Sequence, residues 1–316
     1  MEPAKGPQPR RIDLKRLEGL TADFKIDYLR AADDSLDLRF GTYYKGEGQP
    51  DRWLVFLNGR TEWIEKYAYL AADLNLPAKT GFLTWDHRGQ GASGGARAFV
   101  ADYHVYARDT QQVIAKVVGD KPFVVLAHSM GCLITLYSTL TGHLHPRALA
   151  FSAPLLGLPN DPVPRRLARP VANLLTLCQF GAVSSGAGSF TKIAFEQNKL
   201  THDKDLYERM QAGPYPVPGA SFGWVAATFR ALDLCFDPLR LATLSAPTLV
   251  FGGSAEQVVD AAATPAWVKV AKQNAKTKVE FRPIAGAKHE LLSEVPEYYD
   301  PVRREIEAWF APHWGV

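Results

Sequence analysis

Ser129 lies in "FVVLAHSMGCLITL", residues 123–136, between a short apolar run rich in β-branched residues and a second apolar run that opens at Met130. Residues 123–127 have the length and composition of a fully buried strand, and the second run, to about Leu140, is long enough for a helix. A serine on such a strand-to-helix turn is a candidate nucleophile. The turn lifts its hydroxyl clear of the sheet, and the start of the helix aims unpaired N–H groups, Met130's first, at any oxygen beside it. The turn demands small neighbours. Gly131 supplies one, and Ala127 stands where the pattern G-x-S-x-G has its first glycine. The competing reading is a serine that only caps its helix; the position at a strand–helix junction in the middle of the strand series favours the nucleophile.

A hydroxyl needs a base, and the base needs an orienting acid; on a sheet carrying such a turn they follow in the order serine, acid, histidine. The last two histidines are His289 and His313. His289, in "IAGAKHELLSE", follows the apolar run "VEFRPI" by a short small-residue loop and is expected at the carboxyl end of a final strand. His313 sits in the terminal "PHWGV" and reads as an exposed tail. His128 precedes the serine by one residue and is expected on the other side of its strand, packing or hydrogen-bonding locally. Two carboxylates, Glu256 and Asp260 in "SAEQVVD", follow the strand-like "TLVFGG". Glu256 falls in the loop at the strand end, whereas Asp260 can cap a helix starting near Ala261. Asp233 and Asp237 come before that strand and are poorly placed.

A second donor for a developing oxyanion is expected from "WLVFLNGRTEW", where Gly59 lets the backbone bend and the Arg60 N–H faces the serine. An ordinary Asn-Gly turn is the plainer alternative. "DHRGQGAS", residues 86–93, is a second glycine-rich crossing of the same edge. Its Asp86, His87 and Arg88 are expected to brace the loops as buried charges rather than to react.

These residues need a frame. "FKIDYLR" and "LDLRFGTYY" alternate apolar and polar positions around "AADDS", as an antiparallel pair does. From Arg52 onward, "WLVFLN", "GFLTWD", "FVVLAH", "ALAFSAP", "TLVFGG" and "KVEFRPI" are short apolar runs. Helix-length segments at 63–76, 104–119, 130–142, 264–275 and 296–311 separate or follow them. The alternation predicts an α/β fold: a mostly parallel central sheet with helices on both faces and ligands bound beyond the strand ends. Between Pro154 and Pro238 the rhythm stops. That interval is too long for a loop and is expected to be an inserted helical cap, residues 154–238, in a core of 21–153 and 239–316. Residues 1–20 read as a lead-in.

Composition limits the partners. The 316 residues are 47% apolar and 22% charged, with a net charge of +3 from nearly balanced acids and bases, so no nucleic-acid footprint is implied. Cys132, Cys178 and Cys235 are widely spaced without a C-x-x-C pair, which points to free buried thiols in a reducing compartment. No apolar run reaches the roughly 18 residues of a membrane span. The expected setting is cytoplasmic, with a peripheral location at the inner face of the membrane as a variant of it. The partner is a small molecule, and oligomeric state is left open.

"LNGRTEWIEKYAYLAADL", "DHRGQGASGG", "AHSMG", "NKLTHDKDLYERM", "SFGWVAATF" and "GAKHELLSE", spread from about residue 50 to 310, resemble successive landmarks of the lysophospholipase and monoacylglycerol-lipase branch of the α/β-hydrolases, in particular bacterial lysophospholipase L2-like proteins. The two segments inside the cap are the more discriminating. The resemblance implies the α/β-hydrolase fold and a serine esterase acting on lipid monoesters, with no metal or organic cofactor. Related lipases carry their acid in a pattern D-x-(V/I)-V, and "EQVVD" matches it with Glu256 in the acid's place. Departures are Asn58 where relatives often have His, Ala127 in the turn, and glutamate for the commoner aspartate.

The expected chemistry is therefore acyl transfer by Ser129, Glu256 and His289, with Arg60 and Met130 N–H groups on the oxyanion. The substrate is expected to be a lysophospholipid or monoacylglycerol. Short-chain carboxylesterase and proline-iminopeptidase-like activity are the enzymatic alternatives, and a non-catalytic ligand-binding relative is the alternative of another class. In "RRLARPVANLLTLCQF", Leu167, Val171, Leu174, Leu175 and Cys178 recur at helical spacing, and the leucines and valine are expected to receive an acyl chain, or else to pack the cap on the core. Arg165, Arg166 and Arg169 could face a lipid phosphate or an anionic membrane, although Asp161, Glu196, Asp203, Asp205 and Glu208 dilute that charge.

Overall fold

The structure is a computed structural model that describes residues 24–315 except 34, 45, 160–163, 186–192 and 212. The expected lead-in, 1–20, and Asp161 lie outside the described residues. The chain runs β1 (Phe24–Arg30), β2 (Asp37–Tyr43), β3 (Arg52–Leu57), α1 (Ile64–Tyr67), α2 (Leu70–Asp73), β4 (Thr80–Trp85), α3 (Tyr103–Val117), β5 (Phe123–His128), α4 (Met130–Leu140) and β6 (Leu149–Ser152). It continues through α5 (Arg165–Leu175), α6 (Lys204–Gln211), α7 (Phe222–Phe236), α8 (Pro238–Leu241), β7 (Thr248–Gly253), α9 (Ala263–Asn274), β8 (Val279–Ile284) and α10 (Pro296–Phe310).

The strands form one eight-stranded sheet in the order β1-β2-β4-β3-β5-β6-β7-β8. β1 and β2 are antiparallel to their neighbours, and every pairing from β4 through β8 is parallel. Parallel strands covered on both faces are buried along most of their length, which is why β3 and β5 read as near-continuous apolar runs, while β4 also buries the polar Thr80 and Thr84. Successive side chains still part to opposite faces. Val55, Leu57, Val125, Phe151 and Val250 enter one core cluster with Tyr103, Leu133, Leu232 and Trp267 from α3, α4, α7 and α9. Leu54, Phe56, Val124, Leu126 and Phe251 enter the other with Tyr67, Leu70, Val302 and Phe310 from α1, α2 and α10.

The single helix expected over 63–76 is two short ones, broken at Ala68 and Tyr69. Between β6 and β7 the described residues contain no strand longer than the isolated bridge Ser184–Ser221. α7, within that interval, buries Trp224, Ala227, Ala231 and Cys235 in the first core cluster, so the end of the interval is seated on the sheet's own helices. Cys132 and Cys235 are free and buried as expected; Cys178 is free but exposed, because it stands on an outward face after α5.

Candidate active site

β5 ends at the middle of the parallel sheet, and the chain turns through Ser129 at φ 51° and ψ −117° before α4 begins. A non-glycine residue at positive φ carries strain that its surroundings must hold. They do so here through the Ser129 N–H donating to Ser152 O (3.0 Å), and the Cys132 and Leu155 N–H groups donating to Ser129 O (3.1 and 3.0 Å). Ser129 makes no side-chain capping bond. Gly131 is required by contact: a Cβ there would run into the carbonyl oxygens of Leu57 and Asn58. Ala127, buried one residue before the end of β5, fits the position that the pattern gives to glycine.

The Ser129 hydroxyl meets His289 Nε2 at 3.0 Å, and His289 Nδ1 meets Glu256 Oε2 at 2.6 Å. His289 stands after β8 and Glu256 after β7, so the ends of three parallel strands bring one hydroxyl, one imidazole and one carboxylate into line. Glu256 is held in turn by the Val258 and Val259 N–H groups, which donate to its Oε1 at 2.6 and 3.2 Å. Burial pushes the Glu256 carboxyl up, but the charge and hydrogen bond of His289 and these two N–H donors bring it below its ordinary value. Burial likewise pushes His289 down, and Glu256, with Glu290 and Glu62 behind it, raises it above the ordinary histidine value. Asp260 accepts the Ala262 N–H at 3.2 Å beside the start of α9, two residues later than the start expected near Ala261. His313 packs on Trp309 in the last turn, with ring centroids 6.1 Å apart.

The turn after β3 passes close to the serine: a Cβ on Gly59 would lie 3.1 Å from Ser129 Cβ. Its geometry is fixed by side chains, the Gly59 N–H donating to Glu62 Oε2 and the Thr61 N–H to Gln90 Oε1, with Thr61 at φ 68°. Arg60 follows Gly59 in this turn, and its buried guanidinium lies over the Trp224 ring, 5.4 Å from the centroid. Burial lowers that guanidinium to about 10. Met130 occupies the first turn of α4, where backbone N–H groups have no acceptor within the helix. Its sulfur accepts the Trp224 indole N–H at 3.4 Å, joining α7 to the residue after the serine.

Asp86, His87 and Arg88 hold loops. Asp86 pairs with Arg39 at 3.1 Å and accepts the Ile64 and Ala92 N–H groups, both at 2.8 Å. Arg88 pairs with Asp109 at 2.6 Å and Asp33 at 3.0 Å. His87 Nε2 meets Asn58 O at 3.1 Å, and burial lowers its imidazole to about 4, so it stays neutral.

Two expectations are corrected. His128 does not turn away from the site: it lines the same cavity as Ser129, and its ring centroid is 4.9 Å from that of His289. Side-chain alternation fails at this point because Ser129 leaves the extended conformation. The apolar stripe of α5 is also reversed. Leu167, Val171 and Leu174 are 53%, 47% and 60% exposed, and Leu175 is only part-buried; none of the four lines the cavity. The small Ala168 and Ala172 form the inward face, which lets α5 close against α7 while the larger side chains point out.

The cavity has a volume of about 670 Å³ and reaches from Ser129 and His289 to the segment between β6 and β7, which contributes Leu158, Ile193, Tyr207, Val217, Trp224 and Phe229. Sequence reasoning passed over the charged group at its floor, Glu62, Lys66 and Glu290, with the Tyr67 hydroxyl behind them. The available signals were the i, i+4 pair in "EWIEK" and the acid directly after His289.

The chain is similar to several known proteins. A probable lysophospholipase L2 from Haemophilus influenzae is 27% identical over 312 residues, covering 95% of each chain. The monoglyceride lipase of Homo sapiens is 28% identical over 281 residues, covering 85% of this chain and 86% of its own. Among solved structures, a soluble variant of monoglyceride lipase from Saccharomyces cerevisiae has the same α/β-hydrolase fold, with a TM-score of 0.75 at 19% identity over 94% of this chain and 98% of that one. The profile of the family described as serine aminopeptidase, S33, matches residues 48–296, and the chain belongs to that family.

Proposed function

We propose that the protein is a serine hydrolase that cleaves the carboxylic esters of monoacyl lipids, lysophospholipid or monoacylglycerol, through an acyl-enzyme. The observation that carries the chemistry is the line Ser129 Oγ, His289 Nε2, His289 Nδ1, Glu256 Oε2 at 3.0 and 2.6 Å. His289 takes the Ser129 proton as the oxygen attacks the acyl carbonyl. Glu256 keeps the Nδ1–H directed and stabilises the imidazolium. The Arg60 and Met130 N–H groups receive the oxyanion, the alcohol leaves with the proton from Nε2, and water activated by the same imidazole releases the acid.

The substrate class rests on the cavity and the relatives. Residues 154–238 serve as a cap whose apolar side chains roof a space within the usual range for one small ligand. The curated relatives are named for lysophospholipid and monoglyceride hydrolysis. An aminopeptidase would need an acid left over for the substrate ammonium. The carboxylates lining this cavity, Glu62 and Glu290, are both engaged by Lys66 and Tyr67, which favours the ester.

Among the described residues no helix is long and apolar enough to cross a membrane. The outward stripe of the cap, Leu167, Val171, Leu174, Leu177 and Phe180, with exposed Arg166 beside it, supports peripheral contact with a lipid surface, where the substrate resides. A panel of oleoyl lysophosphatidylcholine, monooleoylglycerol, trioleoylglycerol, p-nitrophenyl acetate and an alanine anilide tests the substrate reading. The long-chain monoacyl lipids are expected to have the highest kcat/KM; faster cleavage of the acetyl ester or the anilide overturns it.

A further inference from the structure

Behind the His289 ring lies a second set of buried groups that the reaction as written does not use. Glu62 Oε1 accepts from Lys66 Nζ and, at 2.8 Å, from the Tyr67 hydroxyl. The same ammonium donates to Glu290 Oε1 at 2.9 Å, and the same hydroxyl lies 2.7 Å from Glu290 Oε2. All four side chains are buried. The other oxygen of Glu62 accepts the Gly59 N–H in the turn beside Ser129, while Glu290 is joined by a peptide bond to His289. One continuous path of hydrogen bonds therefore runs from the turn after β3 to the loop after β8, across residues more than 220 positions apart in sequence.

We propose that Glu62 and Glu290, bridged by Lys66 and Tyr67, form a positioning brace that fixes the Arg60 turn relative to the His289 loop and sets two carboxylates behind the imidazole. This rests on the serine-hydrolase reading above. Geometry gives the brace two effects. Mechanically, an oxyanion donor is useful only if it stays within a fraction of an ångström of its place while the histidine keeps contact with the serine. Gly59, next to Arg60, and His289 are each one bond from the same ion network, so neither loop shifts without disturbing it. Electrostatically, Glu62 and Glu290 bring carboxylate charge close to His289, in surroundings where charge interactions are strong, and both raise its proton affinity. That charge favours the imidazolium formed during the reaction.

The groups facing the imidazole come from several elements. Glu62 precedes α1, Lys66 and Tyr67 lie on it, and Tyr69 follows it. Glu256 and Glu290 stand on the loops after β7 and β8. His128, at the end of β5, has its Nε2 3.6 Å from Glu290 Oε2 and 3.9 Å from Glu62 Oε1. Cys132 on α4 is held neutral by burial, its thiol well above the ordinary value. Burial pushes Glu290 up, but Lys66 and His128 hold it well below the usual carboxylate range, and Lys66 itself is raised by the two glutamates against the effect of burial. Glu290 is therefore charged across the working pH range. Glu62, His128 and Glu290 could be taken for a metal donor set, but the Lys66 ammonium already bridges the two carboxylates.

The test is the pH dependence of kcat/KM for p-nitrophenyl butyrate in the full chain, comparing wild type with Glu290→Gln, Glu62→Gln and Tyr67→Phe, each checked for an unchanged melting profile. Removing one carboxylate charge is expected to move the acid limb to lower pH by about one unit. Tyr67→Phe, which changes no charge, is expected to leave the limb in place and lower kcat about tenfold with KM unchanged. If one glutamine variant fails to fold, the other and Tyr67→Phe decide the matter. A wild-type limb in the folded glutamine variants, or wild-type kcat in Tyr67→Phe, overturns the brace while Ser129-dependent hydrolysis stands. Turnover that survives Ser129→Ala overturns the hydrolase reading, and the role of the brace with it.

Discussion

The Glu256 carboxylate and the His289 ring stand 2.6 Å apart, the closest hydrogen bond His289 makes, on loops that follow adjacent parallel strands. Glu256→Gln keeps the size of that side chain and removes the charge opposite the imidazolium. It is expected to lower kcat by roughly 10³–10⁴-fold, with melting unchanged. Asp260→Asn, which alters a turn at the start of α9, is expected to stay within a few-fold of wild type. Steady-state kinetics on one soluble ester decides between the two acids.

The pH profile follows from the same pair. His289 works as a base only when neutral, and its proton affinity is raised by Glu256. Activity is therefore full at higher pH and lost as pH falls through a midpoint above the ordinary histidine value of about 6.5. Stability runs differently for each partner. The contribution of His289, whose value is raised, is present at acid pH and lost as pH rises through its folded value. The contribution of Glu256, whose value is lowered, is present above the ordinary carboxylate range and lost as pH falls through its folded value. A kcat/KM profile whose acid midpoint lies below the ordinary histidine value contradicts this assignment.

Ser129, Glu256 and His289 were legible in the sequence because each follows a short apolar strand by a few residues, so local pattern alone puts all three at one edge of a parallel sheet. The α5 stripe was legible only in part. Helical spacing groups Leu167, Val171 and Leu174 on one face, but nothing local tells on which side α7 stands, and the small residues Ala168 and Ala172 decide that by allowing close approach. Alternation along β5 misplaced His128 because the turn at Ser129 ends the extended backbone one residue later. The Lys66–Glu290 contact joins residues more than 220 positions apart, and no periodicity in either segment announces it.

Gly131 is expected to tolerate no side chain. A methyl group there meets the carbonyl oxygens of Leu57 and Asn58, backbone atoms that cannot swing aside. Gly131→Ala should cost roughly 2–4 kcal/mol and displace the turn that carries Ser129. Chemical denaturation and esterase rate are both expected to fall; a wild-type midpoint contradicts the close approach.

The outward face of α5 gives a prediction separable from the chemistry. Leu167→Asp combined with Leu174→Asp changes two exposed side chains and no cavity residue. Sedimentation with vesicles containing anionic phospholipid should drop by about tenfold or more, as expected when apolar side chains at an interface are replaced by charge. Hydrolysis of dissolved p-nitrophenyl butyrate should be unchanged. Equal vesicle binding by variant and wild type contradicts the peripheral contact.

The central claim is that Ser129 carries the acyl group. Its direct test is the hydrolysis of monooleoylglycerol and oleoyl lysophosphatidylcholine by wild type and Ser129→Ala, purified alike and cleared of contaminating esterases. The turn is held by backbone bonds and by Gly131, so Ser129→Ala should melt like wild type while its turnover falls by a factor on the order of 10⁴ or more. Turnover retained by the alanine variant would contradict the account.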